Sequence, residues 1–320
     1  MKIICAASLL AFTLSGCAAS QPDTAARSTP AAAAASTASL TNARREFKTI
    51  LIPQKGEKSP LEKAPAAIFR TIQYSAPGGE LHAYLSPAPG NKKKHPAIIW
   101  ITGGDCNSIG DVWSPASRDN DQTAAPYRKA SIVMMFPSLR GGNDNPGVKE
   151  GFLGEVDDVL AAGEYLAKQA YVDPQRIYLG GHSTGGTMAL LVAESSPRFR
   201  GVFVFGAVED VAGYGADSGF LPFDINNARE VEVRSPGYWL DSIQSPTWIM
   251  EGTVDGNIDS LRAMAKTSTN PQAHFLEIAG ADHFSTLAPT NELIAHKILA
   301  DTGAATNIAI TPEEVSKNFR

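Results

Sequence analysis

The stretch Ile177-Tyr178-Leu179-Gly180-Gly181-His182-Ser183-Thr184-Gly185-Gly186 constrains the fold more than any other part of the chain. An apolar run ends at Leu179 and a helix-like segment begins near Thr184, so a buried strand must turn into a helix within a few residues. Gly181-His182-Ser183-Thr184-Gly185 has the G-x-S-x-G form, in which a serine is presented on a sharp strand-to-helix turn. Such a turn holds the serine in a strained backbone conformation. A Cβ at either flank would collide with the neighbouring strand or helix, so Gly181 and Gly185 are steric requirements and Gly186 extends the clearance.

The rest of the domain alternates strand-like and helix-like segments. Ile68 to Tyr74 and Glu80 to Leu85 flank Ala-Pro-Gly-Gly and read as a hairpin. Buried parallel strands are expected at Ala97 to Ile101, Ile132 to Phe136, Ile177 to Leu179, Val202 to Phe205, Thr247 to Met250 and His274 to Ile278. Helices fit between them, most clearly Gly154 to Ala170, where Val156, Leu160, Ala161 and Leu166 recur at helical spacing. The fold class is therefore α/β, with a mostly parallel central sheet covered by helices on both faces. A short lid insertion is expected at about 206–244.

A serine hydroxyl is a weak nucleophile until a base takes its proton, and the base needs an acid to fix its tautomer. In sites built on this turn the acid and then the histidine follow on loops after later strands. Asp255, in Met250-Glu251-Gly252-Thr253-Val254-Asp255-Gly256, and His283, in Gly280-Ala281-Asp282-His283-Phe284, fall at the carboxyl ends of two successive strands. His82 and His95 precede the parallel core, His274 begins a strand and His296 lies in a C-terminal helix. His182 is directed away by the turn and is expected to pack, while Asp282 is expected to orient its loop. Glu251 and Asp259 compete with Asp255, but Glu251 is still close to the strand and Asp259 reads as a helix start. Oxyanion donors are expected from the Thr184 N–H and from the loop Thr102-Gly103-Gly104-Asp105-Cys106, with Gly103 and Gly104 not distinguished.

These residues resemble the α/β-hydrolase superfamily and, within it, the catalytic domain of the prolyl oligopeptidase-like serine hydrolases. The resemblance runs from about Ile68 to Leu299. It includes the hairpin before Ala97-Ile98-Ile99-Trp100-Ile101-Thr102-Gly103-Gly104, the segment Phe136-Pro137-Ser138-Leu139-Arg140-Gly141-Gly142, the acidic start Gly154-Glu155-Val156-Asp157-Asp158 and Arg234-Ser235-Pro236. The chain also departs from the pattern. The peptidases of that group usually carry a β-propeller ahead of the hydrolase domain, and the stretch before Ala97 is too short for one. Thr102 replaces the histidine of the usual oxyanion loop, and Glu251 stands where the H-G-x-x-D acid loop commonly has histidine. The family pattern makes Arg140 an ion-pair partner of Asp157 or Asp158, in preference to a site for a substrate carboxylate.

The expectation is an acyl-enzyme hydrolase with Ser183 as nucleophile, His283 as base and Asp255 as orienting carboxylate. The substrate would be a small ester, amide or short peptide, with no cofactor and no metal required. Tyr214, Phe223, Tyr238 and Trp239 of the lid insertion are candidate pocket residues, weighed against ordinary lid packing, as is Phe220. Glu209 and Asp210 could hold an amine. Two rivals are a non-catalytic envelope lipoprotein that kept the fold for binding, and a thiol enzyme using Cys106, which lacks an adjacent base motif.

The chain of 320 residues has a formal net charge of −5, which offers no basic footprint for nucleic acid. The run Lys92-Lys93-Lys94 reads as a solvated turn. Near the N-terminus, Lys2 precedes an apolar stretch from Ile3 to Leu14 with the length of a signal-peptide core. Leu14-Ser15-Gly16-Cys17 resembles a bacterial lipobox, with Cys17 becoming the lipidated first residue. Residues 17–46, rich in Ala, Ser, Thr and Pro, are expected to be a flexible tether, with the folded part beginning near Phe47. Localisation would be the bacterial envelope, facing the periplasm from the outer membrane because Ala18 follows Cys17. Of the three cysteines, only Cys106 would remain unmodified in the mature domain, so no internal disulfide is expected.

Overall fold

Apolar runs of strand length are separated by helical segments along the chain, and in the computed structural model they assemble into one eight-stranded sheet of order β1-β2-β4-β3-β5-β6-β7-β8. The structure describes residues 39–54, 58–215 and 220–319. The signal sequence, Cys17 and most of the expected tether lie outside the described residues. The strands are β1 Arg70–Ala76, β2 Gly79–Leu85, β3 His95–Ile101, β4 Val133–Pro137, β5 Val172–His182, β6 Val202–Phe205, β7 Thr247–Gly252 and β8 Ala273–Ile278. The helices are α1 Leu40–Glu46, α2 Ala125–Lys129, α3 Glu155–Ala167, α4 Thr184–Ser195, α5 Ala228–Glu232, α6 Ile258–Thr267, α7 Leu287–Ala300 and α8 Pro312–Lys317.

The β1–β2 hairpin is antiparallel, β2 pairs antiparallel with β4, and every later pairing is parallel. Parallel strands buried on both faces need apolar side chains at every position, and β3, β4 and β6 supply them. Ala97, Ile99, Val133, Met135, Val202 and Val204 point into the core shared with α3 and α4. Ile98, Trp100, Met134, Phe136, Phe203 and Phe205 point into the core shared with α2, α7 and α8. That alternation is the two-residue period of a strand acting on an unbroken apolar run.

Among the differences from the sequence expectation, three bear on the fold. β5 begins at Val172 instead of Ile177, because β3 pairs first with Val172 and resumes at Ile177 after a register shift that absorbs the Asp173-Pro174 turn signal. The expected tether of residues 17–46 ends earlier, because 40–46 form α1. Ser39 caps this helix, Leu40 and Ala43 are buried, Thr41 donates to the Ser195 carbonyl at 2.7 Å and Arg44 to the Leu153 carbonyl at 2.8 Å. The lid region 206–244 holds only short 3-10 turns and α5 among its described residues.

Candidate active site

At the carboxyl end of β5, Ser183 has φ 56° and ψ −119°, the strained geometry that the glycine pattern requires. Its N–H donates to the Phe205 carbonyl at 2.8 Å, and its own carbonyl accepts from Thr187 at 2.9 Å, so the neighbouring strand and the new helix both fix the turn. A residue held there costs about 1–3 kcal/mol, which the surrounding bonds must offset. A Cβ on Gly181 would lie 2.2 Å from the Gly185 carbonyl oxygen, and one on Gly185 would lie 2.3 Å from the Ile101 oxygen. Both flanks of the serine are therefore closed to any side chain.

His283 sits in the loop after β8, and its partner corrects the sequence expectation. Its Nδ1 lies 2.8 Å from Oε2 of Glu251, in β7. Asp255 is exposed, and among the described residues it bonds only the N–H of the adjacent Gly256. Glu251 is buried, and its Oε1 accepts from the Gly252 N–H at 2.7 Å while Oε2 also accepts from the Asn257 N–H at 3.0 Å. These bonds satisfy a charged carboxylate out of solvent and aim one oxygen at the imidazole. Asp255 lies beyond a turn that carries it to the surface, whereas the longer Glu251 reaches His283 directly from the strand. Asp259 lies in the first turn of α6. Asp282 accepts from the N–H groups of Phe284 and Ser285 at 2.9 and 2.8 Å, bonds that hold its carboxyl below the usual range and shape the loop.

Sequence reasoning missed two glycines that make room for the imidazole. A Cβ on Gly206, which follows β6 at φ +65°, would lie 2.4 Å from His283 Cε1. At Gly256 it would lie 2.7 Å from His283 Cβ. Asn257 Nδ2 donates to the Gly206 carbonyl at 2.7 Å, linking that glycine to the Glu251 cradle. The available signal was a glycine closing a buried strand at the same sheet edge as the serine.

The loop after β3 treats its two candidate oxyanion donors differently. The Gly103 N–H donates to Gln122 Oε1 at 3.3 Å and is thereby occupied. Gly104, at φ +76°, faces open space, and its carbonyl accepts from the Thr184 hydroxyl at 2.8 Å. Thr184 opens α4, so its N–H belongs to the unpaired first turn of the helix, where partial positive charge favours an anion. His182 is buried, and its ring centroid lies 4.5 Å from that of His283. Its Nε2 lies 2.9 Å from the His283 carbonyl and its Nδ1 lies 2.7 Å from Gln122 Nε2. Burial, reinforced by nearby His283, lowers the His182 pKa to about 3.

Two cavities border the same loop. One of about 640 Å³ is lined by Leu51, Ile52, Asp105, Ser108, Val148 and Lys149, and a smaller one of about 180 Å³ by Asp105, Cys106, Phe152 and Phe220 among others. Most of the aromatic pocket candidates pack elsewhere. Phe223 is buried under the Arg234 guanidinium, which lies 4.2 Å from its ring centroid, and Trp239 is buried with its indole N–H on the Glu232 carbonyl at 2.7 Å. Tyr214 stacks on Phe152 and its hydroxyl meets the Thr187 hydroxyl at 2.6 Å, while Tyr238 is half exposed. Arg140 forms a fork on Asp158 with two contacts of 2.8 Å, and Asp157 pairs with Arg44 instead. Burial pushes the Cys106 thiol pKa well up, leaving it a poor nucleophile. Among the described residues no group of three His, Cys, Asp or Glu side chains is placed to hold a metal.

A family model described as the prolyl oligopeptidase family matches residues 123–297. A prolyl endopeptidase of Elizabethkingia miricola is 29% identical over 147 residues, covering 41% of this chain and 20% of its own. Dipeptidyl-peptidase 5 of Porphyromonas gingivalis is 24% identical over 258 residues, covering 73% and 37%. The chain thus spans well under half the length of these relatives. Among solved structures, a Mycobacterium tuberculosis puromycin-hydrolyzing peptidase superposes with a TM-score of 0.58 at 19% identity, over 75% of this chain and 40% of its own. A Pyrococcus horikoshii acylaminoacyl peptidase gives 0.59 at 14% identity, over 77% and 43%. These likenesses place the chain among α/β-hydrolase folds.

Proposed function

The chain belongs to the prolyl oligopeptidase family, and from that premise we propose that it is a serine peptidase cleaving short peptides through an acyl-enzyme. The observation that carries this reading is the 2.8 Å contact of buried Glu251 with His283 Nδ1, beside a serine on a strained elbow. Glu251 fixes Nδ1 as the protonated nitrogen and leaves Nε2 to act as base. Ser183 Oγ attacks the carbonyl carbon, and its proton passes to Nε2 as the C–O bond forms. The Thr184 and Gly104 N–H groups stabilise the oxyanion. The proton then goes to the leaving amine as the C–N bond breaks, and water repeats the sequence to release the acid.

A binding-only role is disfavoured, because a buried carboxylate, a strained serine and two glycines around one imidazole are costly features that binding does not require. A thiol mechanism is disfavoured by the burial of Cys106. Short peptides are favoured because Leu51 and Ile52, which precede the sheet, themselves line the larger cavity beside the oxyanion loop. Ester hydrolysis follows from the same acyl chemistry and is expected as a side activity.

The test pairs a fluorophosphonate label with aminoacyl-nitroanilide and short-chain nitrophenyl ester assays, on wild type and Ser183→Ala. Labelling and both activities should vanish in the variant, and the faster substrate class identifies the bond. A folded wild type that takes no label would overturn the proposal. We also propose export and lipid anchoring through Cys17, supported by Leu14-Ser15-Gly16-Cys17 after an apolar core. Labelled fatty acid should enter wild type and not Cys17→Ala, with the wild type in the outer-membrane fraction.

A further inference from the structure

Gln122 lies in the connection from β3 to α2, at the opposite end from the oxyanion loop, and its amide bridges that loop to His182. Oε1 accepts the Gly103 N–H at 3.3 Å, and Nε2 donates to Asn120 Oδ1 at 2.9 Å and meets His182 Nδ1 at 2.7 Å. His182 Nε2 lies 2.9 Å from the His283 carbonyl. A carbonyl oxygen only accepts, so His182 Nε2 carries the proton and Nδ1 is the acceptor of the neutral ring. Gln122 must then present its NH2 to His182 and its oxygen to Gly103. One set of donor and acceptor assignments satisfies every member.

We infer that Gln122 and His182 form a positioning relay that holds the oxyanion loop and the catalytic histidine loop in mutual register. The inference rests on the proposed serine-hydrolase reading of the site. The relay runs Gly103 N–H to Gln122, Gln122 to His182, and His182 to the His283 carbonyl. On the other side the Thr184 hydroxyl holds the Gly104 carbonyl at 2.8 Å, so the peptides before and after the one carrying the Gly104 N–H are both held. The relay touches no reacting atom. It acts by keeping the Gly104 amide where charge develops, at the distance from His283 that the transition state needs, and a misplacement of about 1 Å there costs up to about 10²-fold.

Because oxyanion contacts strengthen in the transition state, removing the relay should lower kcat and leave KM nearly unchanged. Gln122→Met and His182→Ala should each reduce kcat roughly 10-fold, with KM within about 2-fold of wild type. The double variant should lose roughly 10-fold in total, not 100-fold, because either change breaks the same chain. Nitrogen NMR of the wild type should find His182 protonated at Nε2 only, a readout that needs no turnover. Additive losses, a fall carried by KM, unchanged kcat in both variants, or an Nδ1-protonated His182 would each overturn the relay. If His182→Ala fails to fold, Gln122→Met together with the NMR measurement still decides. An inactive wild type that retains the Nε2 tautomer would count against the hydrolase reading, whereas an active wild type with the other tautomer would count against the relay.

Discussion

Ser183 and His283 are legible in the sequence because each sits in a glycine-marked turn after an apolar run, and backbone sterics leave few other residues for those positions. The acid is not legible in the same way. Glu251 and Asp255 both lie around the carboxyl end of β7, and the H-G-x-x-D pattern favours the aspartate. What separates them is side-chain reach and backbone direction, since Glu251 is still in β7 when it meets His283 at 2.8 Å, whereas Asp255 has turned out to solvent. Gly206 sharpens the same point. An alanine there would drive a methyl group into the imidazole from a backbone at φ +65°. Gly206→Ala is expected to lower kcat at least about 10²-fold, while the protein keeps its cooperative melting transition. Steady-state kinetics beside a thermal melt checks this.

At the scale of elements, the parallel strands were readable because each is an apolar run of strand length, and α3 because its apolar residues recur at helical spacing. α1 was not, since it buries only Leu40 and Ala43 and follows a low-complexity tract whose composition hides a single helical face. Helix α4 carries a different conflict. Glu194 is fully buried within it, and neither carboxylate oxygen has a hydrogen-bond partner among the described residues. Burial pushes its pKa well up, so the folded state keeps the neutral acid above the pH at which a free glutamate ionises. An unfolded glutamate ionises near pH 4.3, so this group's stability contribution is complete below that pH. Above it the contribution declines by about 1.4 kcal/mol per pH unit until the folded group also ionises. Glu194→Met should therefore raise the melting temperature at neutral pH and flatten the decline between pH 5 and 7. Melting curves of both proteins across that range test the sign.

At the scale of the whole molecule, the sheet gathers the site by bringing together the carboxyl ends of β3, β5, β7 and β8, which are remote in sequence. The C-terminal region is fastened to that sheet through buried Asp301, which accepts from Arg200 at 2.7 Å and Tyr178 at 2.6 Å. Burial alone would raise the Asp301 pKa, but Arg200, Tyr178, Thr306 and the Asn307 N–H outweigh it and hold the carboxyl well below the usual range. The stability it supplies is present above about pH 4 and lost as the pH falls further. Asp301→Ala should cost about 1–3 kcal/mol at neutral pH, because the partly buried Arg200 loses its carboxylate while the carbonyls of Gly303 and Ala305 still accept from it. Denaturant unfolding at pH 7 measures that cost, and the gap between variant and wild type should narrow below pH 4. The most direct test of the site as a whole is to compare kcat of wild type, Glu251→Gln and Asp255→Asn on one activated substrate. Glu251→Gln is expected to fall about 10³- to 10⁴-fold, as when an orienting acid loses its charge, with Asp255→Asn within about 2-fold of wild type. The reverse order would contradict the assignment of Glu251 and return the acid to the exposed loop.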